Sequence, residues 1–147
     1  MKHKFIRVII AGIVAGFIKD IFNAILHYYP RLAKIALWDY AGAVALGRLP
    51  RGFCEHTYAI FLELLFGIFL GLIYINIPFL CQNEHFKLRG VLFGAFVWFI
   101  IRTAVLVFQI PVLLNEDLGT SIVNLAASMI FGCAFVCMAG FWNAGPD

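Results

Sequence analysis

Lys19 and Asp20 stand side by side within an apolar run, Gly12-Ile13-Val14-Ala15-Gly16-Phe17-Ile18-Lys19-Asp20-Ile21-Phe22-Asn23, that belongs to a stretch long enough to cross a bilayer. A charge facing lipid near mid-membrane costs about 2.5 to 3.5 kcal/mol on insertion scales, so both side chains must face protein and find partners there. Glu63, Arg102 and Asn124 lie inside later apolar runs, and Asn23 follows Asp20 by one helical turn. Acids withdrawn from water in this way can exchange protons or hold a cation, with Lys19 or Arg102 as internal counter-charge; for an anionic ligand the roles invert. The same residues can instead hold helices in register, because buried ion pairs specify an arrangement without adding much net stability. A second set, His27, Asp39, Arg48, Glu55 and His56, falls at the ends of the first two runs or between them, where it forms the mouth of such a pocket.

Composition sets the class. Hydrophobic residues are 63% of the 147 and charged residues only 13%, which excludes an ordinary soluble domain. The apolar runs are continuous and carry most of the 16 Phe, so they read as helices in lipid; a barrel strand would alternate polar and apolar positions. The net charge of +3 sits at the ends of these runs, where it sets topology, and no basic patch with interleaved aromatics points to nucleic acid. Cys54, Cys81, Cys133 and Cys137 show no CxxC and no zinc-type spacing; they read as small packing residues.

The elements that must position the polar residues follow from run length. A helix needs about 20 residues to cross the hydrocarbon core. Spans are expected over about 5–27, 54–79, 88–113 and 118–142, the first kept as a true span rather than a secretory signal because it holds Lys19 and Asp20 and no small-x-small cleavage site follows. Tyr28, Tyr29 and Pro30 end the first, Pro78 and the polar turn at 82–85 end the second, and Thr120 or Ser121 caps the fourth. The segment 31–52 is too short and interrupted for a span. It reads as an interfacial helix with Trp38 and Tyr40 as anchors, the alternative being a shallow re-entrant element covered by protein. The expectation is an all-α, polytopic membrane protein: a single domain of four transmembrane helices in an antiparallel bundle, with the interfacial helix between the first and second.

Threading the chain up and down brings Lys19, Asp20, Asn23, Glu63, Arg102 and Asn124 to one half of the membrane as a neutral cluster. The other half carries small residues at four-residue steps: Gly12 and Gly16, Gly67 and Gly71, Gly90 and Gly94, Ser128 and Gly132. Such stripes let helices approach closely in lipid. Lys2, Lys4, Arg7, Lys87 and Arg89 flank one side more tightly than Arg31, Lys34, Arg48 and Arg51 flank the other, which places both termini in the cytoplasm. No hydrolase or metalloprotease motif is present, and His27 with His56 are too few ligands for a metal centre, so neither catalysis, metal nor cofactor is expected. The expected partners are the lipid bilayer and a second copy or another membrane protein.

The pattern Gly12-x-x-Ala15-Gly16-x-x-Lys19, with Trp38-Asp39, Gly47-Arg48-x-Pro50, Gly94-x-x-x-Trp98 and Thr120-Ser121-x-x-Asn124, resembles small uncharacterised four-span integral membrane proteins of Firmicutes-type bacteria. The first of these elements is also similar to YagU-like inner-membrane proteins. These resemblances imply a multi-pass protein of a bacterial cytoplasmic membrane and carry no reaction with them. Function is therefore expected to be a permeation or transport-type component or subunit, the alternative being a structural or partner-binding protein whose charges fix helix registry.

Overall fold

A computed structural model describes residues 2–29, 32–77 and 85–143. Pro30, Arg31, Pro78, Cys81 and most of the expected polar turn lie outside them. The described residues form helices and connections without strands: α1 (Lys2–Tyr28), α2 (Leu37–Leu46), α3 (Gly52–Asn76), α4 (Phe86–Val107), α5 (Pro111–Leu114) and α6 (Leu118–Asn143). Three of them are long and apolar enough to cross a membrane: Gly52–Asn76, Phe86–Val107 and Leu118–Ala139. Their outward faces are apolar as well, with Phe61, Phe69, Phe96 and Phe99 exposed. A helix apolar on both faces is at home in lipid. α1 has 27 residues, about 40 Å at 1.5 Å per residue, and exposes Phe17, Ile21 and Ile25 while burying Lys19, Asp20 and Asn23.

Small residues decide how the helices meet. Along α3 the buried positions Ala59, Glu63, Gly67, Gly71 and Tyr74 recur at helical spacing, Gly67 and Gly71 facing α1 and α6 and Ala59 facing α2. Gly12 sits against the backbone of Gly67 and Ile68, and a Cβ there would lie 3.1 Å from Ile68 Cα. The α4 and α6 pair is tighter: a Cβ on Gly94 would overlap Ser128 O, and one on Gly132 would overlap Gly90 O. α6 therefore packs against both α4 and α1, α1 packs against α3, and α2 packs against α3.

α3 and α4 make little direct contact. At one end aromatic rings bridge the gap, Tyr74 lying edge-on to Phe93 at 5.1 Å and to Phe135 at 5.6 Å. Nearer the other end α2 enters it. Tyr40 meets Trp98 edge-on at 5.4 Å, and Leu37 and Ala43 join a core with Val105, Leu113 and Ala127. Trp38 and Tyr40, which the sequence offers as interfacial anchors, are each 5% exposed and pack against protein. The physical reason is the small-residue side of α2, where Gly42 fits against Pro50 and Ala59 and lets the helix sink between its neighbours. Gly47, in the left-handed region at φ 69°, closes α2 with its N–H on Ala43 O.

The expected third span, 88–113, is also shorter than anticipated. α4 stops at Val107 because Pro111 cannot donate to the helical ladder, and Gln109 takes a left-handed φ of 49°. The chain then turns back through α5, whose Leu113 is fully buried.

Substituting Gly94 by Leu is expected to force α4 and α6 apart at a backbone contact. Overpacking of this kind costs about 1 to 3 kcal/mol, more where backbone must move. The fraction of detergent-solubilised protein that stays monodisperse after heating should fall at a lower temperature than for the unsubstituted chain.

Candidate functional site

Lys19, Asp20, Asn23 and His27 recur at helical spacing on α1, so all four turn toward the protein. Glu63 faces them from α3, one turn from Ala59 and one from Gly67. Lys19 donates a short hydrogen bond to Glu63 Oε1, and its Nζ lies 2.9 Å from Asp20 Oδ1. All three side chains are more than nine-tenths buried at the residue level. Both Asp20 oxygens and Glu63 Oε2 are buried without a hydrogen-bond partner. One cation thus serves two carboxylates.

Arg102 does not join this trio. Its guanidinium turns to the α5 end of the chain, donating to Leu113 O at 2.6 Å and Leu114 O at 3.0 Å, with Nε 3.2 Å from Glu116 Oε2. Those carbonyls end a short helix and have no further helical donors. Arg102 and Glu116 form a matched pair. Asn124 connects that pair to α1: it accepts from Asn23 Nδ2 at 2.8 Å and donates to Ile35 O at 3.1 Å and to Glu116 Oε1 at 3.3 Å. The six polar residues inside the apolar runs therefore form two groups, Lys19 with Asp20 and Glu63, and Arg102 with Asn124 and Asn23, the second joined by Glu116 from the connection before α6.

Residues 32–36, which lead into α2, are irregular backbone surrounded by helices. Four peptide groups there are met by side chains. His27 Nδ1 lies 2.8 Å from Ala33 O; the carbonyl can only accept, so Nδ1 carries the proton. Lys34 N donates to Thr120 Oγ1 at 2.8 Å, Ile35 O accepts from Asn124, and Ala36 N donates to Asp39 Oδ2 at 2.9 Å. Burial pushes the Asp39 carboxyl above its ordinary value, against the pull of the Ala36 N–H and of the His56 and His27 rings. Thr120 in turn donates to Asp117 Oδ1 at 2.6 Å, which holds the Asp117 carboxyl below its ordinary value.

The remaining mouth residues sit near the start of α3. Arg48 grips Glu55 with two bonds of 2.7 and 2.6 Å, and Glu55 also accepts the Arg51 N–H at 2.7 Å. His56 donates from Nδ1 to Gly52 O at 2.8 Å and leaves Nε2 3.9 Å from Asp39 Oδ1. His27 instead lies edge-on to Tyr28 and Trp38, engaged in packing. Among the described residues no three of His, Cys, Asp and Glu gather as a metal site.

Cavities reach the trio from two sides. One of about 540 Å³ lies among α1, α2 and α3, lined by Asp20, His56, Trp38 and Phe53. Another of about 550 Å³ lies among α2, α3 and α4 and is lined by Glu63, Tyr40, Phe66 and Phe108. A small pocket of about 40 Å³ touches Lys19, Glu63 and Ser128.

Glu116 was missed as a site residue, since an acidic turn after a span reads as solvated. The signal that could have found it is Pro111: a helix broken there must turn within a few residues, bringing the next acid back toward Arg102. In comparisons with protein-family models, with curated proteins and with solved structures, nothing matches this chain.

Two outcomes follow from this bonding. Arg102→Met leaves a buried Glu116 without its cation and should lower stability by about 3 to 5 kcal/mol, whereas Arg102→Met with Glu116→Gln should recover part of the loss in thermal melts. Because Asp117 titrates low when folded, its contribution is present at neutral pH and is lost as pH falls through the usual aspartate range to the folded value. Thr120→Val should flatten that acid limb in melts taken between about pH 5 and pH 2.

Proposed function

We propose that the chain is a small integral membrane protein of a bacterial cytoplasmic membrane, a non-enzymatic permeation or transport-type component that crosses the bilayer four times. α1 supplies the additional span, supported by its length and its exposed apolar face. Alternating helix direction is supported by the pairing of positions, Gly12 with Gly67 but Lys19 with Glu63, and Gly90 with Gly132 but Gly94 with Ser128. The flanking lysines and arginines support a topology with both termini in the cytoplasm.

The observation that carries the reading is the surplus carboxylate at Lys19, Asp20 and Glu63, with cavities approaching from two sides. A group of one ammonium and two carboxylates held away from water is completed by one further positive charge, and a proton is the smallest. Asp20 meets the cavity that also carries His56, and Glu63 meets the other, so Lys19 stands between two acids that face different spaces. Four helices enclose no wide pore, and a path through the protein is completed by a second copy.

A structural reading has its own support in Arg102, Glu116 and Asn124, whose bonds tie α5, α6, α1 and the 32–36 segment together. The two readings part on flux. Full-length protein in vesicles with an entrapped pH dye, clamped with potassium and valinomycin, should collapse an imposed proton gradient faster than protein-free vesicles. Glu63→Gln should abolish that difference while folding to the same monodisperse species. If the unsubstituted chain gives no flux above empty vesicles, the charges are registry devices and the transport reading fails.

A further inference from the structure

The groove among α2, α3 and α4 has a chemistry that a proton site alone does not use. It is almost wholly apolar, and Glu63 is its one charged lining residue among those described. Glu63 is 8% exposed, Lys19 occupies its Oε1, and Oε2 has no partner. The aromatic rings of Tyr40, Phe66 and Phe108 also line the space. Its volume of about 550 Å³ is within the range that takes a small organic molecule.

We infer that this groove binds a monovalent lipophilic organic cation, with its charge set against Glu63 and its apolar body lying along α2 and α4. The inference deepens the proposed function by naming a substrate class for the same site, and rests on that reading for transport. Charge complementarity selects the occupant. With both carboxyls ionised, the state left when the site gives up its proton, the trio carries one more negative charge than positive, so an anion is repelled and a neutral acyl chain leaves the surplus unanswered. A bare metal cation wants several oxygen ligands, about six to eight for calcium, and the groove supplies one carboxylate. A cation whose charge is spread over carbon gives up little hydration on entering, and the aromatic rings offer further attraction at their faces.

The test uses the full chain in vesicles of zwitterionic lipid and two probes of nearly the same shape, radiolabelled methyltriphenylphosphonium and neutral triphenylphosphine oxide, with uptake by protein-free vesicles subtracted. The cation is expected to bind saturably and the oxide about tenfold more weakly or worse. Glu63→Gln should weaken the cation by a similar factor, and Ala104→Trp, which fills the groove away from the trio, should weaken both probes. If Glu63→Gln does not fold, Ala104→Trp and the neutral probe still decide. Equal binding of both probes, no saturable binding, or cation binding untouched by Ala104→Trp overturns the inference. Proton flux without saturable cation binding sinks this inference and leaves the transport reading standing; cation binding without any flux does the reverse.

Discussion

A peptide group taken out of water has to be bonded to something, and residues 32–36 are where this chain meets that demand. Left unmet, each such group costs about 1 to 3 kcal/mol in a protein interior, and more where the surroundings are lipid. His27 covers Ala33 O, Thr120 covers Lys34 N, Asn124 covers Ile35 O and Asp39 covers Ala36 N. These four side chains come from α1, α6 and α2 itself, so the segment is fixed only once those helices are in place. The position of α2 follows from it, and with α2 come the walls of both larger cavities.

The two ionic groups differ in kind. Arg102 and Glu116 are matched one to one, and the guanidinium's other donors are used on carbonyls that end α5. Such an arrangement is self-contained. Lys19 serves two acids, and the oxygens left over are buried. Replacing a buried ion pair by apolar residues is often neutral or stabilising, so an unbalanced trio is poorly explained by stability. Its two acids line separate cavities, Asp20 one and Glu63 the other.

Much of the helical plan is legible in the chain itself. Long apolar runs, with turns at polar clusters, place α3, α4 and α6 to within a few residues at most ends, and the glycine spacing anticipates the close contacts of Gly12 with Gly67 and of Gly94 with Ser128. What stays hidden depends on partners distant in sequence. Trp38 and Tyr40 look like interfacial anchors because composition alone does not reveal that a gap between α3 and α4 will receive them. Arg102 looks like the counter-charge of Glu63 because both lie in apolar runs, whereas a break at Gln109 and Pro111 delivers Glu116 first. His27 reads as a residue of the pocket mouth and is a hydrogen-bond donor to the 32–36 segment.

The α4 and α6 seam has a mechanical consequence. Where Gly90, Gly94 and Gly132 bring main chain against main chain, there are no rotamers to exchange and no side-chain volume to redistribute. These two helices therefore behave as a single stiff spine. α3, which reaches α4 mainly through Tyr74 and is otherwise held by α1 and the short wedge of α2, is the compliant wall. The side where Glu63 stands has no comparable backbone seam between α3 and α4.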